Sequence, residues 1–238
     1  MPRAVRHSLL TLMLLALAGA APAAPLRMLV FPNPGLFDLR ADGQVEGPGG
    51  RLLTRLRQAG GPAFTVEVQP IPRALASGQT LADHCLVGIL RTPERESRFA
   101  WVGPISYGAM VVYSRADGSP AVQSLADLQG RQVVAQRDSA AAQLLTQQGL
   151  AVQQVSATLT ALRMLQAGRV DYWLVHELSA APTIRTAGGP ALKRQLTLNH
   201  AEGFIACHPQ TSPTSLQQLR LAVHKLRQRG DLAEFGLR

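Results

Sequence analysis

Val133 to Val175 reads VVAQRDSAAAQLLTQQGLAVQQVSATLTALRMLQAGRVDYWLV, and this stretch decides the fold class. Val133–Gln136 is a short apolar run, a strand. Ser139–Gln148 is rich in Ala and Gln, which enter a helix at little cost, and Gly149 ends it. Val152–Ser156 reads as a second strand. Thr158–Ala167 is a second helix, closed by Gly168. Tyr172–Val175 is a third strand, with another helix following. Strands separated by helices at this spacing imply parallel pairing, so the class is α/β.

The rest of the chain extends the alternation. Leu26–Phe31 is a compact apolar strand, and Arg51–Gln58 is amphipathic and helical. Phe64–Gln69 alternates with period two, as a half-buried strand does. Cys85–Leu90 and Met110–Tyr113 read as buried strands. Ser124 is an N-cap with Asp127 three residues on, opening a short helix that Gly130 closes. Thr214–Arg229 is a long C-terminal helix. Gly47–Gly50 (GPGG) lacks the strand-then-GxGxxG pattern of a dinucleotide site and reads as a turn. Arg115–Pro120 is a turn-rich loop. There is no internal repeat and no low-complexity linker.

Composition narrows the function. The chain has 238 residues, 46% hydrophobic and 16% charged, which is globular composition and excludes a disordered chain. The net charge is +9, carried by 24 basic residues of which only Lys193 and Lys225 are lysines. They are scattered, the densest group being Arg51, Arg55 and Arg57, and aromatics are 5%. A nucleic-acid surface would cluster charge and interleave aromatics, so the arginines read as solvated faces.

Residues 1–24 carry Arg3 and Arg6, then the apolar run Leu9–Ala18, then small residues. That order is a secretory signal cleaved between residues 20 and 25. The run is too short for the roughly 20 residues of a spanning helix. Export to the periplasm favours one bridge, Cys85–Cys207, over two buried thiols, because disulfides persist outside the cytoplasm. Metal-ligand spacings, a GxSxG elbow and a P-loop do not occur in the sequence. No metal, no cofactor and no catalytic residue is expected.

Four segments carry a resemblance. They are Arg91–Pro104 (RTPERESRFAWVGP), Ser124–Gly130 with Val133–Gln136, Leu165–Asp171 (LQAGRVD), and Ala41–Gly47 after Phe37. In order and spacing, across nearly the whole mature chain, they resemble the exported solute-binding proteins of the polar amino-acid ABC transporter type (solute-binding protein family 3). The resemblance implies a two-lobed periplasmic-binding-protein-like (type II) α/β fold with two hinge crossovers. It implies lobe 1 at residues 25–107 plus 200–238 and lobe 2 at 108–199, closing as a hinge on a ligand in the cleft.

Carried over by residue, Arg95 matches the arginine that clamps a ligand carboxylate, a role suited to a planar guanidinium. Phe37 matches a pocket-wall position, and Ser139 opens a helix whose N-terminus meets the ligand. Two departures stand out. Val87, Gly88 and Leu90 occupy places where amino-acid binders carry small hydroxyl residues. His176 stands where they carry an aspartate for the ligand ammonium, and the adjacent Glu177 should point elsewhere. A carboxylate-bearing ligand without a demanding amine contact fits better than an ordinary amino acid. Cys85 and Cys207 match a cysteine-bearing subset of these proteins. The function implied is non-enzymatic capture of a small solute by a monomer, for an inner-membrane ABC permease. Sensory or orphan use of the fold is the alternative, followed by a cyclohexadienyl dehydratase-like enzyme, which needs a carboxyl general acid in the cleft.

Overall fold

The structure, a computed structural model, describes residues 25–116 and 119–237. The expected export signal at 1–24, and residues 117–118 of the central loop, lie outside the described residues. Chain order is β1 (Leu26–Val30), β2 (Asp38–Leu39), β3 (Val45–Glu46), α1 (Gly47–Gln58), β4 (Phe64–Val68), α2 (Ile71–Thr80), β5 (His84–Leu90) and β6 (Ala100–Arg115). It continues with β7 (Val133–Gln136), α3 (Ala140–Gln147), β8 (Gln153–Val155), α4 (Thr158–Gln166), β9 (Tyr172–His176), α5 (Glu177–Ala187), β10 (Leu192–Cys207) and α6 (Pro213–Gln228).

Eight strands form one sheet in the order β4-β1-β5-β10-β6-β9-β7-β8. One half is the parallel set β4, β1, β5, and the other is the parallel set β9, β7, β8. β10 and β6 join them, antiparallel to each other and each 16 residues long. Sixteen extended residues span roughly 50 Å, about three times a usual strand. One strand pair therefore threads both halves, leaving the first along β6 and returning along β10. Its ladder breaks at Arg194/Leu196, at Thr197/His200 and at Gly203/Ile205, and such irregularities bend a strand pair.

Period-two packing builds a core on both faces of each half, as parallel strands require. In the first half Leu26, Met28 and Val30 pack with Leu53 and Leu56 of α1 and Leu219 of α6. Leu29 faces the other way, onto Ile71 and Ala74 of α2. In the second half Val133 and Ala135 meet Ala141 and Leu145 of α3, while Val134 and Trp173 meet Ala161 and Leu162 of α4. Cys85 on β5 and Cys207 on β10 are directly opposed and joined by a disulfide.

Three sequence readings change. Gly47–Gly50 is not a free turn but the first turn of α1. Pro48 costs nothing there, because N-terminal N–H groups have no helical acceptor. A Cβ on Gly49 would stand 2.1 Å from the Phe37 ring, and one on Gly50 would stand 2.1 Å from the Val45 carbonyl oxygen. Met110–Tyr113 is only part of the last third of the much longer β6. The arginines of α1 are not merely solvated: Arg51 and Arg55 both pair with Glu234, and Arg57 lies over the Phe64 ring. They tie the C-terminal segment and β4 to α1.

Candidate functional site

A cavity of about 120 Å³ lies between the two halves, and Arg95, Phe37, Ser139 and His176 all line it. They reach it from separate elements: the turn after β5, the loop after β1, the start of α3 and the end of β9.

Arg95 follows β5 in the segment that returns to the sheet at β6. It is only 3% exposed, whereas Arg91 and Arg98 on the same turn are exposed. Arg91 chelates Glu96 and lies over the rings of Trp101 and Phe204. Arg95 Nη1 donates to the Leu90 carbonyl at 3.1 Å, and its Nη2 donates to the Asp138 carbonyl at 2.6 Å. Its Nε is buried with no hydrogen-bond partner among the described residues. Burial pushes the guanidinium pKa down to about 10, although Asp138 and Glu94 favour the cation. It is still charged at neutral pH. A buried cation whose Nε–H is unmet is poised for an anion, since leaving such a donor unmet is costly.

The second half meets Arg95 with backbone. Asp138 has φ 55, a left-handed conformation that Asp tolerates better than most residues, and its carbonyl accepts from Arg95. Ser139 then caps α3, its hydroxyl accepting from the Ala142 N–H at 3.2 Å. Ser139 is thus an N-cap and a cavity-wall residue at once. The free N–H groups of the first turn carry partial positive charge at the same end of the cavity.

His176 ends β9 and enters α5. Its Nε2 is buried and has no hydrogen-bond partner among the described residues. Burial pushes the imidazole pKa below its ordinary value and His200 adds to this, against the backbone at Ala201 and Gly108 and the carboxylate of Glu177. The ring is therefore neutral at pH 7. It packs on Gly108 of β6, where a Cβ would stand 2.8 Å from its Cε1. Glu177 does point elsewhere: it accepts from the Ala109 N–H at 2.7 Å and from Arg194 at 3.2 Å.

Phe37 is buried in the first-half core with its ring on Gly49 and one edge toward the cavity. The wall also contains residues the sequence did not single out, among them Asn33, Leu36, Ile71, Ser106, Met110 and Gln136. Gly88, which the resemblance marked as a departure from the family pattern, also lines the cavity and has a conformation of its own. β10 pairs Phe204 with Ile89 and Ile205 with Val87, so Gly88 is an extra residue on β5, with φ 79. Only glycine takes that bulge cheaply, and no atom stands within 4 Å of where its Cβ would be. A bulge glycine inside an apolar strand was the one legible sign of it.

The two halves touch at the cavity rims. Besides the Arg95 bond to Asp138, Gln147 donates to Glu94 at 2.5 Å. Thr183 of α5 donates to the side-chain oxygen of Asn33 at 2.8 Å.

No protein-family model matches the chain, and no curated protein matches its sequence. Solved structures do match. A histidine kinase sensor domain with similarity to periplasmic binding proteins superposes with a TM-score of 0.81 at 18% identity, over 90% of this chain and 95% of that one. An ancestral arginine-binding protein bound to arginine gives 0.78 at 17%, over 90% and 97%. The GluR0 ligand-binding core from Nostoc punctiforme in complex with L-glutamate gives 0.76 at 19%, over 89% and 97%. With this topology and these superpositions, the chain has the two-lobed periplasmic-binding-protein-like (type II) α/β fold, crossing twice between its lobes.

Proposed function

We propose that the chain is an exported solute-binding protein of the polar amino-acid ABC-transporter type. It loses residues 1–24 on export to the periplasm. As a monomer it closes on one small carboxylate or amino-acid-like ligand and presents it to an inner-membrane ABC permease. Lobe 1 is residues 25–107 with 200–238, and lobe 2 is 108–199. The ligand-binding residues are Arg95, Phe37, Ser139 and His176. The observation that carries the reading is Arg95, a buried cation with an unmet N–H in the wall of an inter-lobe cavity. The Cys85–Cys207 disulfide supports export, since such bonds persist outside the cytoplasm.

Sensory use is the second reading, favoured by the likeness to a kinase sensor domain. A dehydratase-like reaction is not favoured, because Asp and Glu are absent from the described residues that line the cavity. A thermal-shift screen of amino acids and small carboxylates tests the proposal. A true ligand at a hundredfold excess over Kd stabilises the fold by about 2.7 kcal/mol. A screen with no shift would remove the binding reading, and consumption of the bound ligand would make the protein an enzyme.

A further inference from the structure

The cavity wall has a definite electrostatic character. Its one permanent charge is the Arg95 guanidinium, and no carboxylate lines it among the described residues. The nearest candidates are committed. Glu177 is held by the Ala109 N–H and Arg194. Glu94 is held by Gln147, and the side chains of Asp138 and Glu94 stand outside the lining. Much of the remaining wall is hydrocarbon, including Leu36, Phe37, Ile71, Ile89, Met110 and Leu174. Two polar side chains there are spoken for: the Asn33 oxygen accepts from Thr183, and Gln136 bonds Thr158 and Ser156. Nε2 of His176 is the other buried side-chain atom of the wall, besides Arg95 Nε, that lacks a partner among the described residues.

A ligand ammonium would lose its water in this cavity and meet no anion, while sharing it with a buried cation. That combination is unfavourable both by desolvation and by like-charge repulsion. A carboxylate has the opposite balance, and an apolar body gains from the hydrocarbon wall.

We infer that the ligand is a small monocarboxylate with an apolar aliphatic or aromatic body and no ammonium group, held at Arg95, with room for one neutral oxygen at His176 Nε2. Branched and aromatic 2-oxo acids belong to this class. The inference rests on the reading of the chain as a binding protein.

Calorimetry with matched pairs tests it. The probes are 4-methyl-2-oxopentanoate against L-leucine, 3-phenylpropanoate against L-phenylalanine, and succinate and L-arginine as polar comparisons. The deaminated member of at least one pair should bind at least about tenfold tighter than its amino acid, the ratio that 1.4 kcal/mol gives. Arg95→Gln should abolish the binding while melting at a similar temperature, and Arg91→Ala should keep it. Tighter binding of leucine, phenylalanine or arginine would overturn the inference and leave the binding-protein reading standing. Succinate binding as tightly as the apolar acids would overturn the apolar requirement alone. If neither the probes nor the wider screen produced binding, both readings would fall together.

Discussion

The two halves of the molecule border the same cavity but contribute different chemistry to it. The β4-β1-β5 half contributes a full charge, Arg95, on a turn anchored by buried Phe99 and flanked by the Arg91–Glu96 pair. The β9-β7-β8 half contributes partial charges: the Asp138 carbonyl, the N-terminal turn of α3 and the neutral imidazole of His176. The disulfide lies in the half that carries the charge. A charge held out of water acts directionally only if its frame cannot relax around it. The difference places the full charge of the cavity wall in the first half and only partial charges in the second, and under the proposed function recognition would fall to the first half.

The sharpest way to break that comparison is Arg95→Ala. Removing one partner of a buried charge pair costs about 2–5 kcal/mol, or roughly 30-fold to several thousandfold in affinity for a carboxylate ligand. Arg91→Ala and Arg98→Ala remove the same charge from exposed positions and should bind nearly as the parent does. Calorimetry on the three variants decides it. Equal losses in all three would mean that only net charge matters, and the assignment of recognition to Arg95 would fail.

How far the sequence was legible follows the same division. The second half was readable almost residue by residue, because β7 to β9 are short strands punctuated by Gly149 and Gly168, and both glycines take positive φ. In the first half α2 escaped notice. Its sequence IPRALASGQT mixes Pro72, Gly78 and polar residues, and it is held by burying Ile71 and Ala74, a tertiary effect that local propensity does not carry. Of β10 only the apolar end GFIAC, with Cys207, read as strand; its first ten residues, LKRQLTLNHA, escaped because they are mostly polar and at most partly buried, and they are a strand because β6 pairs with them. At the site, Arg95 was distinguishable from Arg91 and Arg98 only through a resemblance, since nothing in the turn's composition says which arginine turns inward. Of the hydrocarbon wall, only Phe37, Val87 and Leu90 were marked, through the resemblance; Leu36, Ile71 and Met110 are ordinary core residues in sequence, and only the fold brings them to one cavity.

The second test asks whether the disulfide braces the charged half alone. Cys85 and Cys207 are 122 residues apart in sequence, and removing such a bridge costs about 2–4 kcal/mol, mainly through the unfolded chain. Cys85→Ala combined with Cys207→Ala should therefore lower the unfolding free energy by that amount in urea melts. Native-state hydrogen exchange sharpens it. Amides of β1 and β5 should lose more protection than those of β7 and β9, because local opening is cheapest where the bond was lost. Equal loss in both halves would show that the two behave as a single cooperative unit, and the contrast between them would be thermodynamically empty.

The smallest expected effect lies at the end of β9, on His176. Its imidazole is a base whose folded pKa is held below 6.5, first by burial and then by His200, against the Ala201 and Gly108 backbone and Glu177. As pH falls through 6.5 the unfolded chain takes up the proton before the folded one does. Wherever the unfolded state binds more protons, stability rises with pH. The contribution is therefore fully present above pH 6.5. It is lost as pH falls from 6.5 toward the lowered folded value, below which both states are protonated and the dependence levels off. His176→Gln keeps a polar side chain at the end of β9 and removes the titration. Urea melts of parent and variant at pH 7.5 and pH 5.5 isolate it, with every other group common to both. The parent should lose more stability than the variant on acidification, and ligand affinity above pH 7 should not respond to the parent's imidazole. A parent that gains stability relative to His176→Gln at pH 5.5 would mean that the ring is stabilised as a cation. The second half would then bring a full charge to the cavity after all, and the contrast between the two halves would collapse.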